Sequence, residues 1–324
     1  MRKALGLIVL LAVLAGATYA WEMHNHGESR LFKGANLRNL FTYIGLFGIL
    51  SLAQALVIIT GGIDLSVGSV VGLVGIVAAM LLDKGNGWSP FIVVPLCLGM
   101  AVAIGAWHGF LVAKVRIQPF IVTLCGLFLY RGIARGITGD GTQGFGTAFP
   151  RLRWFGKGFV GDIVPAPFIV LVLLAIVVGA YLHLSAQGRH LFAMGANEEA
   201  ARFSGIRTTS LKILAYVMCS LITGLGGLLL AFKVNSLGPS DFGSFWELYA
   251  IAGAVLGGCG LRGGSGNVLG VAIGAALIMV LRNLVNILEI PSQLEYVVIG
   301  SAILIGVCTD ELLARRGASR AHAT

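Results

Sequence analysis

Long, sparsely charged apolar runs recur along the chain, at residues 4–21, 41–60, 67–82, 91–113, 119–138, 167–184, 211–231, 246–260, 268–288 and 295–308. About 20 such residues coiled as an α-helix match the ~30 Å hydrocarbon core, and the helix satisfies its own backbone polar groups there. Ten runs in 324 residues leave no intervening segment of the ~50 residues that a soluble domain needs. The predicted fold is all-α: a single polytopic membrane helix bundle over 1–324, with about ten spans (eight to ten). The short runs at 246–260 and 295–308 are read as tilted or re-entrant. Only 11% of residues are charged and mean hydropathy is +0.90, which excludes a soluble enzyme and a membrane-tethered one alike.

The net charge of +9 would suggest nucleic acid in a soluble protein. Here the basic residues stand singly between apolar runs, so they read as orientation signals in a lipid bilayer, and no nucleic-acid partner is expected. Placing the N-terminus inside puts Arg2, Lys3, Lys114, Arg116, Arg189, Arg202, Arg207, Lys212, Arg262, Arg315, Arg316 and Arg320 on the cytoplasmic side. Eight basic residues then fall outside, and Arg131, Arg135 and Arg282 lie within spans. Both termini are therefore read as cytoplasmic. Met1-Arg2-Lys3 and the apolar run to Trp21 are read as an uncleaved first span rather than a signal peptide ending near Ala20. The five cysteines are odd in number and lack CxxC spacing, so neither a disulfide framework nor a zinc site is expected.

Glycine is abundant, 47 residues, and within apolar runs it signals close helix packing. Gly270, Gly274, Ala275 and Ala276 make one small-residue face, and Gly224, Gly226 and Gly227 another. Gly257–Gly266 is glycine-rich but holds no Gly-Lys-Ser/Thr, so it is not a nucleotide loop. HExxH, GxSxG and paired intramembrane carboxylates are absent from the sequence. No catalytic residue and no metal or cofactor is expected in this chain.

Three segments carry the functional information. Thr60–Ser69 holds a diglycine, Gly61-Gly62, followed by Asp64 and Ser66. The diglycine releases the backbone from the helix at membrane depth, which is tolerated only against protein or a water-filled cavity. Asp64 reads either as the N-cap of the next helix or as a contact to a transported solute. Gly257–Ser265 repeats the pattern Gly-Gly-x-x-Leu-x-x-Gly-Ser, read as a second interrupted helix on a transport path or as an independent turn. The third segment is the loop at about 188–210. There Asn197 can cap a short helix with Glu198 and Glu199 in its first turn, and Gly205 ends it. A capped helix outside the membrane suits docking to a partner.

GGIDLSVG at Gly61–Gly68 and GRHLFAMGANEEAARFSGI at Gly188–Ile206 resemble the membrane permease of bacterial ATP-binding-cassette sugar importers. The similarity is to the branch with ribose, xylose, arabinose and galactose permeases, and it runs through nearly the whole chain. It implies a bacterial inner-membrane subunit that pairs with a second permease copy or paralogue. It further implies separate ATPase subunits that carry ATP and magnesium, and a periplasmic solute-binding protein. The implied ATPase-docking loop comprises Gly195, Ala196, Asn197, Glu198, Glu199, Ala200, Ala201, Arg202, Gly205 and Ile206. Residues placed on the translocation path are Gln54, Gly61, Gly62, Asp64, Ser66, Asn283 and Asn286, since sugar hydroxyls need both donors and acceptors. Helix-to-helix hydrogen bonding is the alternative for Gln54, Asn283 and Asn286. His108 reads as a bond to a neighbouring helix rather than a proton relay. Arg131 and Arg135 are expected to snorkel outward, and Arg282 to pair with Glu289 or Glu295.

The expected function is the translocating subunit of an importer for a monosaccharide or related polyol. Permeases for nucleosides, branched-chain amino acids or a signalling sugar are the alternatives within the family. An ion-coupled secondary transporter is the alternative outside it, and it calls for several buried carboxylates.

Overall fold

A computed structural model describes residues 2–83, 85–147, 149–301 and 304. The chain is a helix bundle organised around α2 (Gly34–Ile59). In the most apolar part of α2, 94% of residues are buried, against 11% in α1 (Arg2–His26). A helix apolar all round belongs inside a bundle, and α2 is enclosed by α7 (Ala166–Leu184), α10 (Thr208–Val234), α11 (Trp246–Leu256) and α12 (Val268–Ile287). On the far side of α10 lie α3 (Val67–Leu82) and α4 (Pro90–Phe110), with α5 (Pro119–Thr138) against α3. The helix α1 packs along α12. The outward faces of α1, α4, α5 and α7 carry exposed Ile, Leu, Val and Phe, the surface a lipid-facing helix needs.

Nine of the ten predicted spans coincide with these helices. The tenth is helical over 295–301, and the remainder of 295–308 lies outside the described residues apart from 304. The small-residue faces act as expected: Gly270 and Gly274 lie on the backbone of Gly253 and Gly257, and Gly227 on that of Val71.

At 16 and 11 residues, α3 and α11 rise only about 24 and 17 Å, short of the ~30 Å core. Irregular chain supplies the remainder. Residues 235–245 fold inward against α3: the ring of Phe242 sits beside Gly75, and Arg131 Nη1 donates to the carbonyls of Phe242 (2.6 Å) and Pro239 (3.2 Å). Such backbone survives at depth because protein groups satisfy it. Arg131 therefore does not snorkel as its spacing suggested. Its guanidinium is spent on unwound carbonyls, whereas Arg135 does reach the surface and pairs with Asp140 at 2.7 Å.

Outside the spans, the sequence missed a helix, α6 (Pro150–Lys157), and the two-residue strands Phe159–Val160 and Val164–Pro165, which pair antiparallel. It also missed a π-helical turn at Leu111–Val115, ended by Arg116 at φ 65°.

The loops sort to two ends. At one, Gly264 N–H donates to the Ile59 carbonyl (2.9 Å) and Thr123 Oγ1 to that of Ile63 (3.1 Å). At the other, Arg30 pairs with Glu289 (2.7 Å), Arg38 donates to Asp162 O (3.2 Å), and Gln143 bridges Leu237.

Candidate functional site

The segment between α7 and α10 forms two helices, α8 (Ala186–Ala196) and α9 (Glu198–Phe203), rather than one short helix in a loop. Ser185 opens α8 by accepting from Gly188 N–H at 2.9 Å. Asn197 separates the two: its backbone is extended, and its Oδ1 accepts from Ala200 N–H at 2.9 Å. An extended residue with a side-chain acceptor is what an N-cap requires. Glu198 and Glu199 occupy the first turn and Arg202 the last, each at the end of the helix dipole that favours its charge. Gly205, at φ +83°, turns the chain, and Ile206 N–H closes on Ala201 O (3.1 Å). Lys212 of α10 holds Glu198. Glu199, Ala200 and Arg202 are exposed, and the Phe203 side chain is 80% exposed at this end of the molecule. Phe203 lies within the quoted Gly188–Ile206 motif but is not among the predicted docking residues, because an aromatic among charges in a loop carries no burial signal.

Beneath α9 three backbones meet. Gly195 lies against the Ile59 carbonyl and the Gly264 amide, with no room for a Cβ. A Cβ on Gly263, whose φ is +84°, would stand 2.6 Å from Gly195 O and 2.8 Å from Gly61 N. The two Gly-Gly-x-x-Leu stretches thus share one end, yet they are not conformational repeats: Gly61 has φ +82° where its counterpart Gly257 has φ −66°.

From this junction the chain turns inward to Asp64. Its Oδ1 accepts from Ser66 N–H (2.8 Å) and Ser66 Oγ (2.6 Å). The N-cap of α3 is Ser66, without a side-chain bond to the helix, so Asp64 does not cap α3. It closes the turn before it, because the helix begins two residues later than a capping aspartate at this position requires. Gln54 of α2, buried, sets its carboxamide against the backbone of Asp64, where one amide orientation lets its nitrogen donate to Asp64 O (3.2 Å) and its oxygen accept from Asp64 N–H (3.0 Å). Gln54 therefore ties the loop to α2 from a position with no exposure. The other carboxylate oxygen, Oδ2, faces His108 Nδ1 and Cys219 Sγ, each at 4.0 Å. His108 Nε2 meets Tyr130 OH at 2.8 Å, the helix-to-helix bond expected of it. Asp64, His108 and Tyr216 are each 1% exposed, and His108 Nδ1 and Tyr216 OH have no partner among the described residues. Glu247, buried like Asp64 and Glu22, adjoins Gly68 at the start of α3. The sequence did not single it out, because its burial comes from the infolded 235–245 chain.

The predicted path residues thus fall in two groups. Gln54, Gly61, Gly62, Asp64 and Ser66 belong to the inner junction. Asn283 and Asn286 sit on α12 near the opposite end, where Asn283 exchanges two bonds with Asn36 (2.8 and 3.1 Å) and Asn286 donates to Arg282 O. Arg282 pairs with Glu295 (3.0 Å), while Glu289 takes Arg30. Among the described residues, no three His, Cys, Asp or Glu side chains gather as a metal set would.

Residues 36–307 match the family model described as branched-chain amino acid transport system / permease component. The ribose import permease protein RbsC of Escherichia coli K12 is 34% identical over 311 residues, 95% of this chain and 92% of its own length. RbsC of Bacillus subtilis 168 is 36% identical over 278 residues, 85% and 84% of the two chains. The xylose transport system permease protein XylH of E. coli K12 is 32% identical over 339 residues, 87% and 86%. No solved structure matches the chain. The alignments span both the Asp64 turn and the α8–α9 segment.

Proposed function

Since this chain belongs to the branched-chain amino acid transport system / permease component family, we propose that it is the membrane subunit of an ATP-driven importer for a monosaccharide. The ribose and xylose permeases among its relatives favour a sugar over the amino acids in the family's description. The single observation that carries the reading is α9: an exposed, doubly capped helix with Phe203 outward and a backbone junction beneath. In this reading α9 is the docking element for ATPase subunits that hold ATP and magnesium. This chain has no catalytic residue of its own. A solute-binding protein delivers sugar at the opposite end, and a second permease copy or paralogue completes the passage. The membrane is the bacterial inner membrane, with α9 and both termini cytoplasmic.

The mechanism follows from the contacts. Closure of the ATPases pushes α9 and, through Gly195, the end of α2 at Ile59. That end is continuous with Gly61–Ser66, which Gln54 fixes to α2 and Thr123 to α5. Displacement at α9 therefore reaches α2, α3 and α5 together, and those helices change which end of the bundle is open.

The test is sugar-stimulated ATP hydrolysis by the co-purified complex in lipid, with Glu199→Arg for comparison. Loss of coupled hydrolysis, with the variant still eluting as a folded membrane protein, is the expected result. A chain that purifies without ATPase and takes up solute on an ion gradient alone would overturn the proposal.

A further inference from the structure

The geometry points to a sugar subsite within the permease itself, in a small polar cavity between the first turns of α2 and the last turns of α12. The cavity holds about 210 Å³ and is lined by Asn39, Tyr43, Arg282, Asn283 and Asn286 over a floor of Leu40 and Met279. At roughly 30 Å³ per water molecule, that space is on the scale of one pentose or hexose ring. The inference rests on the importer reading and adds where, and with which groups, the solute is first held by this chain.

Three features select the ligand class. Three carboxamides line one small space, and each offers donors and an acceptor, as an array of hydroxyls requires. Asn283 is held in place by two reciprocal hydrogen bonds with Asn36, whereas the side chain of Asn39 has no hydrogen-bond partner among the described residues. The one charge among the lining residues is neutralised: Arg282 Nε pairs with Glu295 Oε1 at 3.0 Å, and the guanidinium lies 5.9 Å from the ring centre of Tyr249, whose hydroxyl donates to the same carboxylate. A lining of three carboxamides, a phenol and a paired guanidinium suits an uncharged polyhydroxyl solute. Tyr43 contributes an aromatic wall, with Lys233 Nζ 5.6 Å from its ring centre. Polar and ionisable groups within spans ordinarily face a cavity and mark a solute path.

The position fits a first station. The cavity lies at the end of the bundle opposite α9, on the same end as the Arg30–Glu289 pair. A transport site must release what it takes, so the affinity is weak.

The experiment is equilibrium binding of radiolabelled D-ribose and D-xylose to the purified complex in nanodiscs, without binding protein. Wild type is compared with Asn39→Leu and Asn286→Leu, and ATP-driven uptake is measured on the same preparations with binding protein present. Asn39 and Asn286 are exposed, so leucine at either leaves helix packing intact, and gel filtration checks assembly. The expected result is weak, saturable binding of at least one sugar to wild type, about five- to tenfold weaker in each leucine variant, the effect of one lost hydrogen bond. Asn39→Gln, which keeps the carboxamide, restores most of it. Equal binding by wild type and both leucine variants would overturn the subsite. So would a wild-type complex that imports sugar yet binds none without its binding protein, and in both cases the importer reading stands. A wild-type chain that purifies without ATPase and shows no ATP-driven uptake of any monosaccharide brings down the importer reading and the subsite together.

Discussion

Asp64 serves three elements at once: it closes the turn into α3 through Ser66, is held by Gln54 of α2, and faces His108 of α4. Replacing it with alanine leaves Ser66 N–H and Oγ buried without an acceptor. Leaving buried donors unsatisfied costs roughly 1–3 kcal/mol. Asp64→Asn keeps one carbonyl oxygen for Ser66, so its loss is expected to be less than half that of Asp64→Ala, read from thermal unfolding in detergent. Equal losses would mean that the acceptor oxygen facing Ser66 is not what the fold uses. A second residue-scale expectation concerns pH. Arg30 beside Glu289 holds that exposed carboxyl below its ordinary range, first by a direct hydrogen bond and then by charge. A carboxylate lowered on folding contributes stability above its unfolded pKa and loses it as pH falls through the folded one. Acidification through that range should therefore loosen the tie between residues 27–33 and the chain after α12. Hydrogen exchange at 27–33 is expected to rise in acid in wild type and to be already raised, and flat across the same range, in Glu289→Gln. Because the pair is exposed, its effect at neutral pH is small.

At the scale of elements, the α8–α9 pair and the end of α2 act as one joint because Gly195 lets their backbones touch. A valine there has to displace Ile59 or Gly264. Gly195→Val is expected to cost about 1–3 kcal/mol by overpacking and to uncouple sugar-stimulated from basal ATP hydrolysis. Phe203→Ala, at an exposed site, is expected to leave the unfolding temperature unchanged while weakening ATPase co-purification. A fall in unfolding temperature with unchanged co-purification would assign Phe203 to the permease fold instead. These elements also mark what was legible in the sequence. The spans were readable because ~20-residue apolar periodicity is a local property, and so was α9, whose cap, charges and terminal glycine are consecutive. The infolded 235–245 chain was not. Its stability depends on Arg131, more than a hundred residues earlier, and no local pattern signals that a span's arginine will bond unwound carbonyls. The role of Gln54 was hidden in the same way, since its partner is the backbone of Asp64 rather than a side chain. The π-helical turn after His108 has no compositional signature either.

For the whole molecule, the question with the widest consequence is which end faces the cytoplasm. The fold sorts the loops by contact, independently of charge, and the charges can then be compared end to end. The α9 end gathers Lys114, Arg116, Arg189, Arg202, Arg207, Lys212 and Arg262, with Glu198 and Glu199 the acidic residues beside them. At the opposite end Arg30, Lys33 and Arg135 are each bound to a carboxylate, and Arg38, Arg151, Arg153, Lys157 and Lys233 lie there as well. The positive-inside rule weighs basic residues in short loops, and the connections at the α9 end are short except for the folded 185–207 segment. The loops alone do not decide the orientation; with both tails on the α9 side, as the sequence reading has them, twelve basic residues stand against eight, and the proposed orientation with α9 inside is the one in which it can meet cytosolic ATP-binding subunits. Single cysteines at Ala200 and Ile163, in a chain whose native cysteines are replaced by serine, decide it. Ile163 lies in the outer turn between the two short strands and its side chain is 76% exposed. A membrane-impermeant maleimide added to intact spheroplasts is expected to label Ile163→Cys and spare Ala200→Cys, with the pattern reversed in inside-out vesicles. Labelling of both from one side would break the alternation of spans on which the fold rests. The opposite pattern would keep the fold but put α9 outside, and with it would go the docking role of Phe203, the coupling through Gly195 and the ATP-driven reading itself.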